Sequence, residues 1–175
     1  MPELEPRLCG VFFKRNPLLF TFAPRNRSKA ADHFKSPHSM ALLEKHLVVK
    51  KSKLPGAGKG LFTKVFIPKG TRIVEYKGKV TTWKEASSGK TFNGYIYYIN
   101  KDHVIDAKPY PKALARYAND AKGLGKVDGV ANNSKYVVDG NRVYIEAFRN
   151  IEPGGEILVG YGKEYWDVVR ENKQL

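Results

Sequence analysis

Short β-type segments, separated by glycine and proline, dominate the chain after residue 40 and restrict it to a mainly β fold. Glycine and proline divide these short segments from one another, which is typical of strands and turns rather than long helices. The exception is a stretch from 163 to about 172, where Trp166 and Val169 fall on one helical face. The predicted strands are 47–49, 61–66, 72–76, 95–99, 104–106, 136–138 and 142–145.

Two of these strand pairs carry a hairpin signal. The clearer one is the pair 136–138 and 142–145, which flanks Asp139-Gly140. Asp-Gly supplies the positive φ angles that a tight primed turn needs, so we predict the turn there. The strands 95–99 and 104–106 are predicted to pair around Lys101-Asp102.

The cysteine content and the apolar runs limit the compartment and the kinds of site. Cys9 is the only cysteine among 175 residues, so an intrachain disulfide and a cysteine zinc site are both excluded. No run approaches the roughly 18 apolar residues of a membrane-spanning helix. Charged residues and a proline at 14–17 interrupt the apolar N-terminal stretch, which argues against a signal peptide. We therefore expect an intracellular protein, either cytoplasmic or associated with the nucleus or nucleoid, with no membrane role.

The chain is strongly basic, with a formal charge of +14 from 31 basic and 17 acidic side chains. From residue 40 onward it keeps 24 basic and 14 acidic side chains, so the excess belongs to the folded part. We predict a disordered basic extension over 1–40 and one domain over 41–175. Such a charge either reflects a generally basic surface or serves to attract polyanions such as nucleic acids. Aromatic residues do not alternate with basic ones on a strand face, so no direct nucleic-acid role is required.

Two glycine-containing motifs and the histidines do not support common ligand sites. The loop Gly56-Ala-Gly-Lys-Gly60 lacks the third glycine of a dinucleotide fingerprint, because Leu61 occupies that position. Ser88-Gly-Lys-Thr91 lacks the first glycine of a phosphate-binding loop, since position 84 is lysine. The four histidines have no metal-ligand spacing, and no metal site is predicted.

Three separated segments carry the most specific signal: 56–60, Ala-Leu-Ala-Arg-Tyr-Ala-Asn at 113–119, and Glu-Ile-Leu-Val-Gly-Tyr-Gly-Lys-Glu-Tyr-Trp at 156–166. In this order and spacing they resemble the SET-domain protein lysine methyltransferases, in a short form without a cysteine-zinc post-SET module. The resemblance covers about residues 46–168. It implies a mainly β SET-domain (β-clip) fold with a threaded C-terminal segment and a short C-terminal helix. It also implies transfer of a methyl group from S-adenosyl-L-methionine to the side-chain nitrogen of lysine in a protein substrate.

Methylation requires a neutral amine held in line with the methyl group. Lysine has a reference pKa near 10.4, so neutralising it at pH 7 costs roughly 4.6 kcal/mol. A dry channel beside a positive sulfonium lowers that pKa, and tyrosines suit its wall. By resemblance, Tyr161 is the catalytic tyrosine that orients the amine, Tyr76 lines the lysine channel, and Tyr95 approaches the cofactor. The alternative for each is an ordinary strand tyrosine.

The resemblance assigns further cofactor contacts to the glycine loop and to the segment around Asn119. Gly58 and Gly60 let the backbone approach a ligand without a Cβ in the way, although a plain turn is the alternative. Lys59, Gly60 and Leu61 would contact the methionine end of the cofactor. Asn119 would hydrogen-bond the cofactor through its amide, and Arg116 would support the loop.

The chain departs from the family pattern in two segments. Asp120 stands where the family usually has histidine, which changes the charge and the packing around the adenine. An insertion over 121–130 follows, and Asn133 is the best match for a bracing asparagine. Trp166 either closes the site with aromatic surface or belongs to the core.

These departures leave a second hypothesis open, a catalytically weak SET-like module that binds a lysine peptide or a basic protein partner. The sequence does not identify the substrate, since DNA-associated proteins and ribosomal proteins fit equally well.

Overall fold

The computed structural model describes residues 42–89, 92–123 and 125–173. The extension predicted over 1–40 lies outside the described residues. Within them, two α-helices accompany eight strands, and short 3-10 turns occur at Glu44–His46 and Leu114–Tyr117. The helices are α1 (Trp83–Ala86) and α2 (Lys163–Lys173). The strands are β1 (Leu47–Lys51), β2 (Lys59–Thr63), β3 (Arg72–Glu75), β4 (Lys79–Thr81), β5 (Ile96–Asn100), β6 (His103–Asp106), β7 (Ser134–Asp139) and β8 (Arg142–Ala147).

The strands form three small antiparallel sheets in the described part of the chain. Their strand orders are β1-β2, β3-β8-β7 and β4-β6-β5. The predicted pairing around Lys101-Asp102 is present as β5-β6. The prediction of a mainly β fold with a short C-terminal helix is confirmed. Neither described helix has the length and apolar character needed to cross a bilayer.

The β7-β8 hairpin forms where the sequence indicates, but its turn lies one residue later than predicted. Asp139 pairs with Arg142 as the last rung of the ladder, so Gly140 and Asn141 make the turn. Gly140 has a φ of +58°, which glycine adopts without steric cost. Asp139 stays in the strand, where its carboxylate accepts a hydrogen bond from the Arg72 guanidinium at 2.8 Å.

Residues 156–159 thread between segments that lie far apart in the sequence. Ile157 donates its backbone N–H to the Leu61 carbonyl at 2.8 Å. Leu158 forms a parallel bridge with Asn119, and the next residue, Val159, donates its N–H to the Asn119 carbonyl at 2.8 Å. On the other side, the Leu158 carbonyl accepts the Ser134 N–H at 2.9 Å. Because the segment is enclosed on several sides, the side chains of residues 157–159 are apolar without alternation. This is the threaded C-terminal segment that the sequence predicts.

Helix α2 follows this segment directly and closes one end of the domain. Tyr165 and Val169 are buried, with 2% and 3% of their surface exposed. Trp166 is partly buried and packs against the same core. The predicted apolar face of the helix therefore anchors it beside residues 160–162.

Candidate functional site

Asn119 sits at the centre of the residues that the sequence singles out. Its side chain is buried, with 4% of its surface exposed. The amide nitrogen Nδ2 donates to the Lys59 carbonyl at 3.1 Å and to Glu156 Oε1 at 3.2 Å. These contacts join the glycine loop, the segment 116–120 and the threaded segment in one place.

Glu156 is a buried carboxylate that sequence reasoning missed as a site residue. It accepts hydrogen bonds from the Ser52 hydroxyl at 2.6 Å and from the Lys53 backbone N–H at 2.9 Å, in addition to the Asn119 amide. The donors are neutral groups, so its charge is stabilised by hydrogen bonds rather than by an ion pair. The only sequence signal for it is a charged residue placed directly before the apolar run 157–159.

The glycine loop lies directly against this carboxylate. A Cβ added to Gly60 would lie 2.2 Å from Glu156 Oε1, closer than any real Cβ contact. The approach of Glu156 therefore requires glycine at position 60, and the predicted ligand contact of this residue stays a prediction. Gly58 has a φ of +65°, a conformation that favours glycine. Lys59 is exposed at this loop, and Leu61 is fully buried.

Asp120 is a second buried carboxylate, and all its hydrogen-bond partners are donors. Oδ1 accepts the Lys122 N–H at 2.8 Å and the Asn132 amide at 2.9 Å. Oδ2 accepts the Tyr161 N–H and the Trp166 indole Nε1–H, both at 2.9 Å. Four donors match the four acceptor sites of an ionised carboxylate. Asp120 thus ties Tyr161 to helix α2 and to the segment before β7.

Tyr161 is held by its hydroxyl as well as by its backbone. The hydroxyl donates to the Ala118 carbonyl at 2.7 Å. The phenol ring stacks on Trp166, with centroids 5.8 Å apart and planes inclined by 19°, and meets Tyr165 edge-on at 4.8 Å. Two hydrogen bonds and two ring contacts fix the direction of this side chain.

Helix α2, which carries Trp166, has two ion pairs between its own side chains. Lys163 and Arg170 each hydrogen-bond the Asp167 carboxylate at 2.6 Å. The hydrogen bond from Lys163, followed by that from Arg170, lowers the pKa of Asp167 below its usual value of 3.8. These ion pairs are exposed, so solvent screening leaves them only a small contribution to the stability of the fold.

Tyr76, Tyr95 and Arg116 form a second contact group. The Arg116 guanidinium lies over the Tyr95 ring, 3.8 Å from its centroid, and donates to the Ala107 carbonyl at 2.9 Å. The Tyr76 hydroxyl donates to the Tyr95 carbonyl at 3.1 Å. Tyr76 is almost fully buried, so its ring lies inside the protein and not at the surface.

A cavity of about 540 Å³ opens in front of Tyr161. It lies between β5 and β7, each of which is the edge strand of its sheet. On its wall, the rings of Tyr97 and Tyr136 contact each other with their centroids 5.1 Å apart. Both rings also contact the buried ring of Tyr76. The lining residues are Tyr97, Tyr98, Lys122, Ala131, Asn132, Ser134, Lys135, Tyr136, Phe148, Arg149, Gly160, Tyr161 and Gly162.

Of the residues proposed from the sequence, only Tyr161 lines this cavity. Asn119, Asp120, Lys59, Gly60 and Trp166 form the connected group behind it, and Tyr76, Tyr95 and Arg116 form the second group. Sequence reasoning missed the cavity-lining tyrosines at 97, 98 and 136. Their positions in predicted strands were visible, but the strand pattern does not reveal which two edges face each other.

The sequence of the chain matches a known protein family. A family model described as the SET domain matches residues 58–162. The matched segment covers more than half of the chain and runs from the glycine loop to the residue after Tyr161. The chain belongs to the SET-domain family. SET domains are generally methyltransferases that use S-adenosylmethionine and act on protein substrates.

The residues that this SET domain brings together fit such a cofactor. Glu156 is a buried carboxylate whose hydrogen-bond donors are all neutral, so its charge complements a sulfonium or an ammonium group. Trp166 is partly exposed beside Tyr161 and offers an aromatic face. The individual roles assigned from the sequence, including those of Gly58, Leu61 and Tyr95, stay predictions.

Proposed function

We propose that this SET domain is an S-adenosylmethionine-dependent protein-lysine methyltransferase acting inside the cell, in the cytoplasm or at the nucleus or nucleoid. The observation that carries the proposal is the position of Tyr161. Its hydroxyl is fixed on the Ala118 carbonyl, at the wall of a cavity between two strand edges. An extended protein segment can lie along such edges and hydrogen-bond to them.

The Tyr161 hydroxyl is suited to orient an amine rather than to remove its proton. A phenol has one proton and two acceptor lone pairs. Because the proton is used on Ala118, the hydroxyl acts toward the cavity as an acceptor of an amine N–H. Accepting that N–H fixes the orientation of the amine, so its own lone pair can face the methyl donor. The ring contacts with Trp166 and Tyr165 hold the hydroxyl in this direction.

The cavity wall also favours the neutral form of an incoming lysine. Lysine must lose a proton at a cost of about 3.4 pKa units at pH 7. The phenol rings at 97, 136 and 161 displace water, and the cationic side chains at the cavity disfavour a further positive charge. Both effects lower the pKa of the substrate amine.

The methyl donor fits the residues on the other side of Tyr161. S-adenosylmethionine supplies, when bound, an electrophilic methyl group on a sulfonium. Asn119 and Glu156 would hold its polar and cationic parts, Trp166 would cover its aromatic part, and Asp120 would position Trp166 through the indole N–H. The exposed Lys59 and the glycines at 58 and 60 complete the predicted contact surface.

Methyl transfer to lysine can be measured with labelled S-adenosylmethionine and a protein mixture, followed by mass spectrometry of the modified lysines. Tyr161→Phe keeps the ring that stacks on Trp166 but removes the hydroxyl, so we expect transfer to fall by at least about 100-fold. Tyr110→Phe is the matched control, because Tyr110 is exposed and does not line the cavity.

Full transfer by Tyr161→Phe would contradict the role of its hydroxyl. Absence of transfer by the unaltered protein would contradict the proposed activity. Circular dichroism of both variants separates a loss of chemistry from a loss of folding.

One observation favours the second hypothesis, a module that binds a lysine peptide or a basic partner without turnover. The Asn119 amide nitrogen is already bonded to Lys59 and Glu156, and Asp120 replaces the usual histidine. Calorimetry distinguishes the two functions. Binding of peptide or S-adenosylmethionine, with no methylated lysine in the same sample, would favour the module.

A further inference from the structure

The side chains around the cavity are charged with one sign. Among its thirteen lining residues, Lys122, Lys135 and Arg149 are cationic and none is acidic. The three come from separate parts of the chain: the segment after Asp120, strand β7, and the segment after β8. The fold therefore gathers positive charge at the entrance to Tyr161. We refer to these three side chains as the basic rim.

Little of this charge is neutralised within the described residues. Lys135 forms an ion pair with Glu146 at 3.3 Å. Lys122 and Arg149 form no ion pair with any described residue, and both are exposed. One carboxylate lies near the edge, since Glu164 Oε2 would be 3.5 Å from a Cβ on Gly162. The carboxylate of Asp120 is buried behind Tyr161, where four donors satisfy it.

Taking the proposed function as its basis, we propose that the basic rim selects lysines flanked by acidic residues. A segment lying between the edges of β5 and β7 would place its target lysine at Tyr161 and its neighbouring side chains beside the rim. Acidic residues beside the target lysine would form ion pairs with Lys122 and Arg149, which pair with no described carboxylate. Basic neighbours would be repelled. The preferred substrate is then an acidic surface segment, in contrast to the lysine-rich tails of DNA-associated proteins.

Charge reversal at the rim tests this selection. Matched peptides carry one central lysine in an otherwise constant sequence, with glutamate, glutamine or arginine on both sides. We measure kcat/KM for each peptide at low and at high salt. Each exposed charge pair contributes about 0.2–1 kcal/mol, or up to about five-fold. With two open cations, the acidic peptide should exceed the neutral one by about ten-fold, and the advantage should shrink at high salt.

The variant Lys122→Glu/Arg149→Glu should remove or invert this preference, measured as the ratio of kcat/KM for the acidic peptide to kcat/KM for the neutral peptide, so that a change in rate common to both peptides cancels. Lys69→Glu/Lys112→Glu is the control, since it makes the same change in total charge at two exposed positions that do not line the cavity. It should keep the preference for acidic flanks. Equal rates for the three peptides, or a preference for arginine flanks, would overturn the inference while leaving the proposed function intact.

A binding measurement keeps the inference separate from the activity. Fluorescence anisotropy of the labelled acidic peptide reports on the rim even if no peptide is methylated. Affinity that falls in the rim variant but not in the control supports the inference. A single-stranded oligonucleotide is the competitor that represents the other polyanion class. If it binds the rim and the acidic peptide does not, the inference fails.

Discussion

Replacing Asp120 with asparagine should destabilise the domain strongly, although the side chain keeps its size. Each carboxylate oxygen of Asp120 accepts two hydrogen bonds, Oδ1 from Lys122 and Asn132, and Oδ2 from Tyr161 and Trp166. Asparagine has one acceptor oxygen and one NH₂ group. Whichever way the amide turns, its NH₂ faces two donors, and two hydrogen bonds are lost.

The magnitude follows from the burial of those donors. A buried donor left without an acceptor costs about 1–3 kcal/mol. The Tyr161 N–H lies in a buried residue, whereas the Trp166 indole is in a partly exposed one that water can reach. We therefore expect a loss of about 2–4 kcal/mol in the free energy of unfolding. For a domain of this size that corresponds to a decrease of roughly 10 °C in Tm.

Urea unfolding followed by tryptophan fluorescence measures this change, because Trp166 is itself a partner of Asp120. Asp128→Asn is the matched control: Asp128 is exposed in the same connecting segment, and its replacement should change stability by less than about 0.5 kcal/mol. Equal midpoints for Asp120→Asn and Asp128→Asn would refute the reasoning, since they would mean that the carboxylate does not hold these donors.

Two further predictions concern Gly60 and Asp167. Gly60→Ala should lower the free energy of unfolding by about 1–3 kcal/mol, because its Cβ must displace the Glu156 carboxylate. Thermal unfolding of Gly60→Ala and of Gly70→Ala, measured in parallel, distinguishes this crowding from backbone strain alone. Gly70 has a positive φ but open space at its Cβ. The lowered pKa of Asp167 means that its contribution to folding is present above about pH 3.8 and is lost as the pH falls through the lower folded-state value. A carboxyl NMR titration should therefore give a midpoint below 3.8 that rises in 1 M salt, and a midpoint at or above 3.8 would contradict the ion contacts.

Local sequence patterns predicted most of the strands but not the smallest elements. The pairs β5-β6 and β7-β8 are hairpins, so their partners are close in sequence and their turn residues are visible. Strand β4 has three residues and exists because it pairs with β6 across a longer separation. Helix α1 has four residues and depends on a cap, in which the Thr82 hydroxyl accepts the Glu85 N–H at 3.3 Å. Such short elements have too few residues to show a period.

The sequence likewise predicted part of the candidate site and missed the part that depends on contacts between distant segments. The motif around Asn119 and Tyr161 was evident from residue types and spacing, and the fold does bring these residues together. The contact of Gly60 with Glu156 joins positions 96 residues apart, and no local pattern contains it. The predicted contact of Gly60 with a ligand stays a prediction beside this structural role. The cavity was not predictable because it depends on the spacing between two sheets.

The threading of residues 156–159 has a consequence for when activity arises. The segment bonds to Leu61, Asn119 and Ser134, which lie far from it in the sequence, and such distant pairings form slowly. Tyr161 follows that segment directly, so the wall of the cavity is completed only by its insertion. A nascent chain, or one cleaved before residue 156, would carry the glycine loop and Asn119 but would lack Tyr161 and the threaded segment. Formation of the site in this SET domain should therefore be all-or-none, and the methyl transfer that we propose would report directly on insertion of this segment.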